Sequence, residues 1–86
     1  MYAVVVSVTS DDFEGAKAGL ESEVVPNVSR APGFVAGYWL SPSGGKGLSI
    51  VVFESEEHAR AAAERITPPA QVTIESVEVR EVVAHA

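Results

Sequence analysis

The sequence predicts an α+β fold of order β-α-β-β-α-β, a four-stranded antiparallel sheet with two helices on one face. Three observations carry this expectation. Between Ala31 and Glu54 two apolar runs flank a Gly/Ser/Pro stretch and read as a central hairpin. One strand-like and one helix-like run precede that hairpin, and one helix-like and one strand-like run follow it. In a chain of this order each crossover is right-handed, which brings both helices to the same side of the sheet. The 86 residues hold no boundary signal and no repeat beyond the two βαβ halves, so residues 1–86 are expected to form one domain.

The elements follow in order. Tyr2, Val4, Val6 and Val8 alternate with Ala3, Val5 and Ser7, a β-branched strand with two mostly apolar faces. Thr9, Ser10 and Asp11 offer N-cap chemistry, and Asp11 with Glu14 imitates a capping box; a helix is expected from there, with Phe13, Ala16, Leu20 and Val24 as its apolar stripe. Pro26 disfavours the α region at Val25, so that helix is expected to end nearby and Asn27 to Pro32 to form a turn or short irregular extension. Phe34 to Leu40 and Leu48 to Phe53 are the hairpin strands, with Ser41 to Gly47 as a flexible turn. Ser55 caps a second helix whose stripe is Ala59, Ala62, Ala63 and Ile66, and Pro68 and Pro69 prevent its continuation. Gln71 to Ala84 is a long strand whose apolar parity shifts from Val72 and Ile74 to Val77, Val79 and Val83. A bulge near Glu75 and Ser76 accounts for the shift, and so does a strand that crosses to a partner in its second half.

Helices on one side leave the other side of the sheet bare, and here both sides are apolar. A bare face of that kind exceeds the few hundred Å² of apolar patch usual on a soluble monomer. A homodimer with its sheets face to face is therefore expected, and a hydrophobic content of 47% in so short a chain agrees with it. A net charge of −6 without any Lys/Arg run argues against nucleic acid and anionic membrane as partners. The absence of cysteine excludes disulfides and thiolate chemistry, and a start without a basic, signal-like segment leads to the expectation of a cytoplasmic protein.

Pro32-Gly33-Phe34 opening a strand, the pair Tyr38-Trp39 within it, and FESEEHARAAAER from Phe53 to Arg65 resemble the dimeric α+β barrel superfamily, in particular small antibiotic biosynthesis monooxygenase-like proteins. The resemblance covers essentially the whole chain. It implies a ferredoxin-like protomer, a homodimer forming a dimeric α+β barrel, and a pocket for a small aromatic or apolar ligand. Members include oxygenases that need no cofactor, haem-degrading enzymes and proteins without assigned activity. Enzymes of the group recurrently carry an Asn on the first strand, a Trp in the sheet and, in the haem-degrading branch, a His on the second helix. This sequence has Ser7 in its first-strand region, Trp39 on the second strand and His58 in the first turn of the second helix.

His58 is the candidate catalytic residue, because an imidazole serves as a base near neutral pH; its alternative is a surface position flanked by Glu56, Glu57 and Arg60. Trp39, Tyr38 and Ser7 are the candidate ligand contacts, with core or interface packing as the alternative for the aromatics. Tyr38 and Trp39 must point to opposite faces, one toward the helices and the other toward a partner or pocket. Tyr2 offers a further phenol, and His85 lies near the end of the sequence and carries little weight. Ser41 to Gly47 is not a phosphate loop: its Lys46 precedes Gly and the segment joins two strands without opening a helix. No cofactor or metal set is evident. Two functions are thus expected: a cofactor-independent, monooxygenase-like enzyme or binder of a small aromatic or apolar ligand, and a non-catalytic homodimer whose sheet face serves assembly alone.

Overall fold

A computed structural model describes residues 1–10, 22, 24–66 and 72–86. The chain is α+β, with strands β1 (Tyr2–Ser10), β2 (Phe34–Ser43), β3 (Lys46–Phe53) and β4 (Val72–Glu81). The described helices are α1 (Val25–Ser29) and α2 (Glu56–Glu64). The strands form one antiparallel sheet of order β2-β3-β1-β4, which is compatible with a ferredoxin-like chain. The helix expected from Asp11 and the Pro68-Pro69 stop lie for the most part outside the described residues.

Alternation decides which side each residue takes. Val4 stands opposite Val51 on β3 and Val79 on β4, and Val6 stands opposite Val77. This side meets α2: Val4, Val6, Val51, Phe53 and Ala59 form the buried core, with Phe53 1% and Ala59 0% exposed. Ala62, Ala63 and Ile66 pack against the same core, as their helical spacing predicts. Phe34 meets Phe53 edge to face, with ring centroids 6.3 Å apart.

The parity shift in β4 is a bulge. Ser7 pairs with Ser76 but Val8 pairs with Ile74, so Glu75 has no partner on β1. The extra residue keeps Ile74, Val77 and Val79 on the helix side, since partners across a sheet share a face.

Two local expectations are corrected. The segment after Pro26 is helical: α1 carries Pro26 in its first turn, where proline gives up no hydrogen bond, and the Ser29 hydroxyl donates to the Pro26 carbonyl at 3.0 Å. The hairpin turn is shorter than Ser41 to Gly47. β2 runs through Ser43, β3 resumes at Lys46, and only Gly44 (φ 60°) and Gly45 (φ 78°) turn the chain. Two successive positive φ values suit the twist of a two-residue hairpin, and glycine adopts them without a Cβ clash.

Candidate functional site

The side of the sheet away from α2 is built from the other alternation. Ala3, Val5 and Ser7 of β1 lie opposite Val52, Ile50 and Leu48 of β3, which in turn lie opposite Ala36, Tyr38 and Leu40 of β2. Tyr38 is 58% and Leu40 50% exposed. β4 gives this side a polar flank, with Arg80, Glu78 and Ser76 opposite Ala3, Val5 and Ser7. Arg80 Nε lies 3.3 Å from Glu78 Oε2. The face is therefore apolar over three strands and charged along the fourth.

A hollow of about 270 Å³ opens at one end of this face. Val35, Ala36, Tyr38 and Val52 line it from the sheet, and Met1, Val82, His85 and Ala86 line it from the chain ends. Residues 82–86 leave the sheet after β4, and their root is fixed where the Val82 amide donates to the Met1 carbonyl at 2.9 Å. Val35 belongs to this end because β2 is irregular there: Phe34 pairs with Phe53 and Ala36 with Val52, leaving Val35 without a partner.

The residues singled out by the sequence fall in three places. Tyr38 and Ser7 lie on the open face, Tyr38 lining the hollow and Ser7 further along β1. Trp39 takes the opposite side, where it packs against the core. Its ring lies over Gly37, so that a Cβ there would stand 2.7 Å from Trp39 Cη2. His58 is at neither place. It sits in the first turn of α2, half-buried, with Nδ1 2.8 Å from the Ser55 hydroxyl. The same hydroxyl accepts from the His58 amide at 3.2 Å, so Ser55 is the N-cap that the sequence predicts and His58 closes a ring with it. The Cβ, Cγ and Nδ1 of His58 also lie against Gly33 (φ 77°), whose carbonyl accepts from the Glu54 amide at 2.8 Å.

Met1, Val82 and His85 were not legible as site residues. They are distant from the central hairpin in sequence: the pairing of β1 with β3 places Met1, and the exit of the chain after Glu81 places Val82 and His85. Among the described residues no group of three His, Asp or Glu is arranged to hold a metal ion. No helix among them is long and apolar enough to cross a membrane.

Two surface pairs complete the electrostatics. Arg60 reaches Glu56 one turn earlier on α2 at 3.4 Å, and Arg80 reaches Glu78. All four side chains are at least half exposed, where such pairs contribute well under about 1 kcal/mol. They belong to the solvated surface and not to a reaction centre. No protein-family model matches the chain, and no curated protein matches it.

Proposed function

We propose that the chain works as a homodimer in which two open sheet faces close on one another to form an α+β barrel. The observation that carries this reading is the face itself. Val5, Ile50, Val52, Leu48, Tyr38 and Leu40 form one apolar surface on the side away from α2, with the Glu78/Arg80 flank beside it. An apolar centre with a charged margin is the anatomy of a protein interface. A second copy supplies a matching apolar centre, and its own Glu78 and Arg80 provide both signs of charge at the margin. Sedimentation at micromolar concentration tests this: a species of twice 9.0 kDa is expected, and a single species of 9.0 kDa overturns it.

A second reading, binding of a small aromatic or apolar ligand, is supported by the hollow at the end of the same face. Binding is favoured over oxygenation because the residues offered for that chemistry are engaged elsewhere. Nδ1 of His58 is held by Ser55 and its ring lies on Gly33, while Trp39 packs over Gly37 and onto the core. Oxygen consumption with a panel of phenolic compounds tests the distinction. No turnover is expected, and turnover abolished by His58→Ala would restore the oxygenase reading.

A further inference from the structure

We propose that residues 82–86 are a strap over one end of the open sheet face, that they compete with a second copy of the chain for that end, and that their release sets the affinity of the dimer. This inference rests on the homodimer reading above and adds the regulation of that interface.

The path of the segment is the first step. β4 is one edge of the sheet and β2 the other, yet Val82, His85 and Ala86 line a hollow together with Val35, Ala36 and Tyr38 of β2 and Val52 of β3. Ala36, Tyr38 and Val52 belong to the open face, so residues 82–86 cross the end of it. Burial follows the crossing. Ala3, in one row with Val52 and Ala36, is 6% exposed, whereas Leu48 and Leu40 toward the other end are 37% and 50% exposed. Two sheets packed face to face stand about 10 Å apart with their side chains interdigitated. Residues 82–86 enter that layer, and a second copy reaches this end of the face only when they leave it.

The weakness of the hold is the second step. The root of the strap is the hydrogen bond from the Val82 amide to the Met1 carbonyl. Beyond it, among the described residues, Val83 to Ala86 make no hydrogen bond or ion pair, and all four are exposed. The hollow of about 270 Å³ separates the strap from the sheet, so the two do not interdigitate. A segment with one backbone bond and few packed contacts opens at low free-energy cost, within reach of an apolar face that displaces it. Each protomer must free its own end, so the dissociation constant of the dimer is divided by the released fraction once for each copy.

The test is sedimentation equilibrium of the whole chain, of a chain lacking residues 83–86, and of Val82→Pro, which keeps the other residues and removes the amide that donates to Met1. The truncated chain dimerises at least about fivefold more tightly than the parent and Val82→Pro about threefold more tightly. Val83→Ala, at an 89% exposed position, leaves the affinity unchanged. In the parent, the NMR amide signals of Ala84, His85 and Ala86 move to random-coil positions as rising concentration takes the monomer to the dimer. Far-UV circular dichroism on the same samples verifies the fold. A truncated chain that dimerises more weakly assigns the segment to the interface, and unchanged affinity shows that the segment obstructs nothing. Either result overturns the strap and leaves the dimer standing. Parent and truncated chains that both sediment at 9.0 kDa overturn the homodimer reading as well.

Discussion

His58 occupies the space that a side chain at Gly33 would need. A Cβ built on Gly33 comes 2.5 Å from His58 Cγ and 2.9 Å from its Cβ, and Gly33 has φ 77°. Both facts demand glycine, one for backbone conformation and one for room. The contact joins the start of α2 to the turn that opens β2. Gly33→Ala is expected to destabilise the protein by about 2–3 kcal/mol in urea unfolding, combining the left-handed backbone penalty with the displaced ring. Adding His58→Ala removes the clashes with Cγ and Nδ1 but keeps a Cβ 2.9 Å from the new one, so it should recover only part of the steric cost and the double mutant lies between Gly33→Ala and the parent. Strict additivity of the two changes would mean that the ring and residue 33 do not interact.

Ser55 and His58 divide the work of capping α2 unequally. The Ser55 hydroxyl accepts the His58 amide as well as meeting its ring, so Ser55→Ala removes both contacts. A loss of about 1 kcal/mol is expected, the usual cost of an N-cap. His58→Ala leaves the hydroxyl and the amide in place and should cost less than Ser55→Ala. Thermal unfolding of the two variants ranks them directly, and the reverse order would make His58 the main determinant at this end of the helix.

These contacts mark where the sequence was readable. Ser55 as cap, the Ala59/Ala62/Ala63/Ile66 stripe and the opposite directions of Tyr38 and Trp39 follow from periodicity, which depends on near neighbours and on regular backbone. The parity shift in β4 was legible for the same reason, but periodicity left a bulge near Glu75 and Ser76 and a crossing to a partner as equal explanations, and the pairing with β1 decides for the bulge. The role of His58 was not. Its contact with Gly33 spans the hairpin, and no local pattern records which residue will lie beneath a ring. The hollow was hidden too, since Val82 and His85 reach Tyr38 through the path of the chain after β4. Pro26 was read by its effect on the residue before it, whereas its acceptance in the first turn of α1 decided the outcome.

The β2–β3 turn yields a cleaner backbone test, because nothing lies within 4 Å of a Cβ at Gly44 or Gly45. Only the positive φ values resist substitution. Gly44→Asn creates Asn-Gly, a favoured pair for such hairpins, and should leave stability within about 0.5 kcal/mol of the parent. Gly45→Val places a β-branched side chain at φ 78° and should cost about 1–2 kcal/mol. Equal stability of the two variants in chemical denaturation would indicate that the turn adopts another geometry.

Ile50 stands between Val5 and Tyr38 on the open face and is half-buried within one protomer. It offers a direct probe of the proposed dimer. Ile50→Asp puts a charge at the centre of that face, tolerated where water reaches it and costly where a second copy excludes water. The variant is expected to sediment near 9.0 kDa at concentrations where the parent is twice that mass, with its far-UV spectrum retained because the helix-side core is untouched. An Ile50→Asp protein with the parent's mass would place the interface elsewhere.

Glu75 lets β4 change alternation while Ile74, Val77 and Val79 share the helix side, so its backbone matters more than its side chain. Its neighbours establish this: Ile74 faces the core beside Val8, whereas Ser76 faces the open side beside Ser7. Deleting Glu75 while keeping the pairing of Val77 and Val79 would turn Ile74 onto the open face. Keeping Ile74 inward instead would slip the other half of the strand. Either route withdraws aliphatic surface from the core, and the deletion should cost about 2 kcal/mol or more, on the scale of one buried aliphatic side chain. Glu75→Gln retains the extra residue and removes only the charge of an exposed side chain, so a change within about 0.5 kcal/mol is expected. Urea unfolding of the two variants separates backbone count from side-chain chemistry. A deletion variant as stable as the parent would show that the register shift is dispensable.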